Sequence, residues 1–245
     1  MKRIFAVGDI HGGLKALKQL VHRLALQEED ALIFLGDYVD GWSESAQVIE
    51  FLIALAKERE CIFIKGNHDV WCENWLRDGE TSAVWLEHGG RGTVESYSTF
   101  SEASKKEHLQ FFERLKLYHI HHEDNTLFLH AGFTSMHGVE HETYHENFYF
   151  DRTLWEMALV ADTNIEKTAF NYPNRLKHYQ EIYIGHTPTL NFNETEPMNA
   201  LNVWNVDTGA AFTGKLSAIA IDSKTVVQSD VVTALYPNEQ GRNKS

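Results

Sequence analysis

Three short apolar runs in this chain each lead through glycine to a possible metal ligand. Arg3-Ile4-Phe5-Ala6-Val7 runs into Gly8-Asp9-Ile10-His11-Gly12, and Ala31-Leu32-Ile33-Phe34-Leu35 into Gly36-Asp37-Tyr38-Val39-Asp40. Cys61-Ile62-Phe63-Ile64-Lys65 runs into Gly66-Asn67-His68-Asp69. Two later segments end in His130-Ala131-Gly132 and Gly185-His186-Thr187-Pro188. A single Gly-Asp after a strand is ordinarily a turn. Five such loops call for a common explanation. Asp9, His11, Asp37, Asn67, His130 and His186 offer carboxylate oxygen, amide oxygen and imidazole nitrogen, which suit hard and borderline divalent metals. Six such donors suit two ions sharing one carboxylate. Asp37, between the other two early loops, is the candidate for the shared ligand. Two ions roughly 3.5–4 Å apart clamp the attacking and leaving oxygens of a phosphoryl transfer, and they acidify a bridging water. Attack by the resulting hydroxide needs no protein nucleophile.

A leaving alkoxide needs a proton. His68 is the candidate donor, with Asp40 as the carboxylate that stabilises its imidazolium. Phosphate oxygens need cations. Arg152 is the first candidate, because a guanidinium binds phosphate in bidentate fashion. Lys65 and Arg91 are weaker ones, and Asn67 belongs to the phosphate-binding set as well as to the metal set. His137, His141 and His145 fall at i, i+4 and i+8, but no carboxylate or cysteine completes a suitable ligand set there. Trp71, Trp75 and Trp85 read as core or groove packing. His119, His121 and His122 read as hairpin surface.

These side chains can meet only if their strands end on one rim, the place where open α/β sheets bind ligands. The pattern predicts strands over 2–7, 31–35 and 61–65, with helices over 14–27 and 44–58 between them and Ser43 as an N-cap. Such β-loop-α repeats form parallel sheets with right-handed crossovers. Helical, aromatic segments follow around 70–76 and 82–86, then a helix over 104–116. Residues 118–122 and 126–130 flank Glu123-Asp124-Asn125 as a hairpin. Residues 133–150 read as a lid or long loop, before a helix at 153–162 and a strand at 181–184. Strands over 200–206, 216–221 and 225–232 close the chain, and their β-rich half implies a second sheet packed on the first. One domain over 1–237 is expected, with a frayed polar tail at 238–245.

The length of 245 residues and the 43% hydrophobic content allow a sizeable core. A formal net charge of -13 argues against general nucleic-acid binding. Two cysteines, Cys61 and Cys72, imply no disulfide framework and a reducing compartment. Met1-Lys2-Arg3 precedes too short an apolar run for a signal peptide, and no run reaches membrane-spanning length. The expectation is a soluble cytoplasmic protein without membrane partners.

The ordered series of five motifs resembles the calcineurin-like metallophosphoesterases, and within them the phosphoprotein phosphatase branch. That branch includes serine/threonine phosphatases, lambda phosphatase and bacterial diadenosine tetraphosphatases. Trp85 to Tyr97 and Val206-Asp207-Thr208-Gly209 also look like a bacterial member. The resemblance implies a four-layer αββα sandwich of mixed sheets, with a dinuclear metal site at strand C-terminal ends. It implies Asp9, His11 and His186 on one metal, Asn67 and His130 on the other, and Asp37 bridging. It implies His68 with Asp40 as the general-acid pair and Arg152 as a phosphate-binding arginine. The ions expected are Mn first, then Fe or Zn. Two departures stand out. Gly41-Trp42 replaces the usual Arg-Gly, so one phosphate-clamping arginine is missing, and Lys65 replaces a frequent arginine. The final motif lacks the second histidine of nuclease branches. The activity expected is metal-dependent hydrolysis of phosphomonoesters, including phosphoserine or phosphothreonine in proteins. The alternative is a dinucleoside polyphosphate hydrolase. A third reading, prompted by Gly41, is a non-catalytic metal-binding regulatory protein.

Overall fold

The computed structural model describes residues 2–243; Met1 and the last two residues of the expected tail, Lys244 and Ser245, lie outside the described residues. Among the described residues two five-stranded sheets face each other, with strands numbered in chain order. The first contains β1 (Ile4–Val7), β2 (Ala31–Phe34), β3 (Glu60–Phe63), β9 (Ser217–Ala220) and β10 (Val226–Gln228), in the order β10-β9-β1-β2-β3. The second contains β4 (Tyr118–His121), β5 (Thr126–Leu129), β6 (Glu181–Ile184), β7 (Met198–Ala200) and β8 (Val203–Asn205), in the order β4-β5-β6-β8-β7.

Each sheet has a parallel trio at its centre or edge: β1, β2 and β3 in one, β5, β6 and β8 in the other. Parallel trios put all their C-terminal ends on one side. They also explain the unbroken apolar runs, because a strand covered on both faces has no solvent side to mark with polar residues. In β1, Phe5 and Val7 point to the helices Leu14–Arg23 and Ser45–Glu58, while Ile4 and Ala6 point to the other sheet. Three cores result. One lies between the first sheet and its helices, one between the sheets, and one between the second sheet and helices that include Thr153–Val160. This is the expected αββα layering. Each fully buried Leu, Ile or Phe side chain there contributes about 1.5–3 kcal/mol of transfer free energy. No helix among the described residues is long and apolar enough to cross a membrane.

Some local expectations are corrected. Ser43 does not cap the helix Ser45–Glu58: its backbone N–H and hydroxyl both donate to Glu239. The strand expected over 200–206 is a hairpin, β7–β8, turning at Leu201, which has φ 52°. The strand expected over 225–232 stops at Gln228, and Val232–Leu235 is a short helix. Residues 133–150 hold a 3-10 turn at Val139–His141 and a helical turn at Asn147–Phe150. Residues 238–243 are not frayed but fold back, through Glu239 on Ser43 and the Arg242 N–H on Ala211 O at 2.9 Å.

Candidate metal centre

The six donors converge where the C-terminal ends of the two parallel trios meet. Asp9 and His11 follow β1, Asp37 follows β2, Asn67 and His68 follow β3, His130 follows β5 and His186 follows β6. All are buried, between 0% and 8% exposed. The backbone bends sharply to deliver them. His11 (φ 51°), Asp37 (φ 51°), Asp40 (φ 70°) and His186 (φ 68°) all lie in the left-handed region, which costs a non-glycine residue energy and concentrates at functional sites. Gly36, at φ 110°, permits the crossing of loops: a Cβ there would come 2.7 Å from Gly66 N and 2.8 Å from His130 Nδ1.

Asp69 ties the β2 and β3 loops together. Its carboxylate accepts the backbone N–H of Asp37 (2.9 Å), Tyr38 (2.9 Å) and Gly66 (2.8 Å), at the start of the helix Asn67–Asp78. The His68 N–H in turn donates to Asp37 Oδ1 at 3.0 Å.

Two ring orientations are fixed by backbone carbonyls. His11 Nδ1 lies 3.1 Å from Val39 O and 2.9 Å from Asp40 O, and His130 Nδ1 lies 2.8 Å from Leu35 O. A carbonyl only accepts, so both Nδ1 atoms carry the proton and both Nε2 atoms turn lone pairs inward, the arrangement of a metal-binding imidazole. His130 Nε2 then faces three further acceptors: Asn67 Oδ1 at 3.3 Å, His186 Nδ1 at 3.2 Å and Asp37 Oδ2 at 3.4 Å. Such a convergence needs a cation. Burial opposes charge on His130, yet Asp37 and Asp9 override it and push the ring up to about 10, so a proton would fill that need in a metal-free chain. Asp9 Oδ1 and His186 Nε2 are buried without a hydrogen-bond partner among the described residues. The donor set therefore fits divalent ions. Asp37 stands in two donor groups, one with His11 and His68, the other with His130 and His186.

His186 departs from the expected grouping. It was expected beside Asp9 and His11, but its ring stands with His130, because β5 and β6 are adjacent parallel strands that end side by side. Asp9 meets only the main chain of His186, accepting its N–H at 3.0 Å.

His68 Nδ1 is 2.6 Å from Asp40 Oδ2, the pairing that the spacing suggested. Asp40 also accepts from Trp85 Nε1 (2.7 Å) and Thr93 Oγ1 (2.6 Å), so Trp85 is more than packing. Burial pushes Asp40 up to about 7 and His68 down to about 3, with the positive charge of Arg242 also acting on His68.

Above the cluster opens a cavity of about 200 Å³, lined by Asp37, Asn67, His68, Trp71, His88, Phe150, Arg152, His186 and Arg242. Arg152 is on the wall of that cavity, its Nη1 donating to Thr187 Oγ1 at 2.8 Å. Lys65 is not. Ile64 points into the core between the sheets, so its neighbour points outward, and Lys65 Nζ pairs with Glu73 at 2.5 Å. Arg91 lines a neighbouring cavity with Gly41 and Gly89. Residue patterning missed Asp69 and Arg242 as site-builders. Asp69 was visible as an acidic residue at the third position of a helix, the place that favours one. Arg242, in a polar tail, gave no local signal.

Comparison with known proteins places these features in context. The calcineurin-like phosphoesterase family matches residues 2–211. A bis(5'-nucleosyl)-tetraphosphatase PrpE [asymmetrical] of Oceanobacillus iheyensis is 29% identical over 244 residues, covering 92% of this chain and 91% of the relative. The protein of the same name from Anoxybacillus flavithermus is 28% identical, covering 87% and 88%. Among solved structures, a putative diadenosine tetraphosphatase superposes with a TM-score of 0.63 at 16% identity, covering 93% and 92%. A Saccharomyces cerevisiae serine/threonine phosphatase with similarity to human PP5 gives 0.56 at 14%, covering 93% and 79%. The structural likenesses speak to the fold.

Proposed function

The chain belongs to the calcineurin-like phosphoesterase family and is a hydrolase of phosphoric esters, and from that premise we propose a two-ion site acting on nucleotide-type phosphoric anhydrides, dinucleoside tetraphosphates first. The observation that carries the two-ion reading is the double membership of Asp37, which stands in both donor groups on the cavity floor. Asp9 and His11 would hold one divalent ion, and Asn67, His130 and His186 the other, with Asp37 between them. When bound, such ions supply Lewis acidity and a water acidic enough to attack near neutral pH. Arg152 holds phosphate oxygens in its guanidinium fork. Asp40, fixed by Trp85 and Thr93, orients His68 through Nδ1 and leaves Nε2 to pass a proton to the leaving oxygen.

Two observations favour a nucleotide. The curated relatives are named for one. Trp71 also lines two cavities, the phosphate cavity and one of about 330 Å³ shared with Asn74, Glu80, Thr81, Ser82 and Trp85. That second space, with an indole wall, suits a base or ribose beyond the phosphates. The second reading, a phosphomonoesterase that includes phosphoserine and phosphothreonine among its substrates, rests on the first cavity alone, whose size suits one phosphoryl group.

Metal-stripped protein refilled with Mn²⁺ separates the two. An aryl phosphate, a phosphothreonine peptide and diadenosine tetraphosphate would be assayed side by side. Preferential loss of the dinucleotide on chromatography is expected. Cleavage of the first two with the dinucleotide intact would move the function to phosphomonoesters. No cleavage of any, with metal bound, would defeat the catalytic reading.

A further inference from the structure

We propose that Arg242 is a substrate-phosphate-binding residue, carried back over the site by the C-terminal segment to the place left open by Gly41. The proposal rests on the phosphoester reading of the cavity. Arg242 lies beyond residues 2–211, the part of the chain that the family matches. It nevertheless lines the same cavity as Asp37, Asn67, His68 and Arg152.

The segment that brings it there is built to do so. Tyr236 is buried and stacks on Trp42, with centroids 5.1 Å apart and an interplanar angle of 23°. Glu239 accepts both the N–H and the hydroxyl of Ser43. Gly241, at φ 58°, lies so close that a Cβ would stand 2.7 Å from both Ala211 O and the Trp42 ring. The Arg242 N–H then donates to Ala211 O at 2.9 Å.

The stem of Arg242 runs between two glycines. A Cβ on Gly41 would lie 3.4 Å from Arg242 Cγ, and a Cβ on Gly89 would lie 3.3 Å from it. A long side chain at position 41 and the stem of Arg242 would compete for one space, so the glycine at 41 is what admits Arg242 to the cavity. The guanidinium sits 5.3 Å from the Phe212 ring centroid and touches His88 Nδ1 only at 3.5 Å. No carboxylate among the described residues pairs with it or with Arg152. Two guanidinium groups without acidic partners therefore share the cavity, one following the second sheet's loops and one arriving over the first. Ten N–H donors in two planar forks suit the non-bridging oxygens of a phosphoryl group.

The test uses metal-loaded protein, with inorganic phosphate as the calorimetric probe and an aryl phosphate for kinetics. Arg242→Ala should weaken phosphate binding and raise KM by about 10–100-fold, the loss of charge-assisted hydrogen bonds. Metal content should not change. Arg242→Lys should recover part of the loss, since it restores charge without the fork. Arg242→Gln keeps the stem between Gly41 and Gly89 and covers the case in which the alanine variant melts early. Phosphate affinity unchanged in Arg242→Ala or Arg242→Gln, while Arg152→Ala weakens it, would overturn the role of Arg242 and leave the cavity reading intact. Unchanged affinity in both arginine variants would overturn the cavity reading as well.

Discussion

Asp37 and Arg242 line the same cavity, but the chain holds them by opposite means. Asp37 is 2% exposed and is fixed by neighbours from two loops: Asp69 accepts its N–H, the His68 N–H donates to its carboxylate, and the Ile10 and His11 N–H groups donate to its carbonyl. Arg242 stands on the rim, half-buried, held by its own main chain and by stacking. The floor of the site is a strained, densely hydrogen-bonded lattice of short strand-end loops that leaves Asp9 Oδ1 and His186 Nε2 without protein partners among the described residues. The rim is a set of long side chains from distant segments. The floor is built to hold one geometry against the repulsion of converging acceptors, and the rim to offer charge to a ligand from solvent. Substitutions in the two regions should therefore fail differently, the floor in turnover, metal content and stability, the rim in affinity.

The largest effect should come from Asp37→Asn. It removes the one carboxylate common to both donor groups while keeping its shape. Turnover should drop on the order of 10³-fold or more, and bound metal should fall below that of the parent protein. Elemental analysis beside the assay checks both. Full metal content with near-normal turnover would break the two-ion reading of the floor.

Asp69→Ala comes next. It leaves three backbone N–H groups without their acceptor in a place that is 0% exposed. A loss of about 3 kcal/mol is expected from buried unsatisfied donors. Denaturant unfolding measures it directly. A loss below about 1 kcal/mol would mean that the loops hold without this staple.

His68→Asn tests the border between floor and rim, because His68 belongs to the cluster yet faces the cavity. Turnover with alkyl phosphates should fall about 100-fold, and with activated aryl phosphates much less. Equal losses for both leaving groups would remove the proton-donor role.

The same contrast explains what could be read from sequence. The floor was legible because each donor lies within four residues of the end of a strand, and a buried parallel strand advertises itself as an apolar run. The six candidate donors, which the structure brings together, and the hydrogen-bonded His68 and Asp40 were read that way, and the αββα layering came with the resemblance. The grouping of His186 with His130 was not legible, because it depends on β5 and β6 being neighbours, a fact of topology and not of spacing. The rim was largely hidden. Arg242 reaches the site through a turn at Gly241 and through space vacated by Gly41 and Gly89, positions far apart in sequence. Lys65 illustrates the converse error. Its place just before Gly66-Asn67-His68 suggested the rim, and only the pleat direction after β3 shows that it points the other way.

Lys65 gives the mildest and sharpest separation of the two regions. Its ammonium pairs with Glu73, which also accepts from Arg77 on the next helical turn. Burial alone would raise the Glu73 carboxyl, but hydrogen bonds from Lys65 and Arg77 override it and hold it below the ordinary 4.5. A carboxyl depressed on folding adds stability that is fully present above its unfolded pKa and is lost as pH falls through its folded pKa. Lys65→Met removes one of the two cations responsible and keeps much of the stem. At neutral pH the variant should be less stable by up to about 1 kcal/mol, since Arg77 still serves the carboxylate. That deficit should shrink as pH falls below about 4.5, where Glu73 takes up a proton in the unfolded chain. Phosphate affinity of the metal-loaded protein should stay within about twofold of the parent, because the charge never faces the cavity. A drop in phosphate affinity comparable to that of Arg152→Ala would return Lys65 to the rim. A stability deficit that grows as the solution is acidified would show that Glu73 is not the carboxylate this lysine serves.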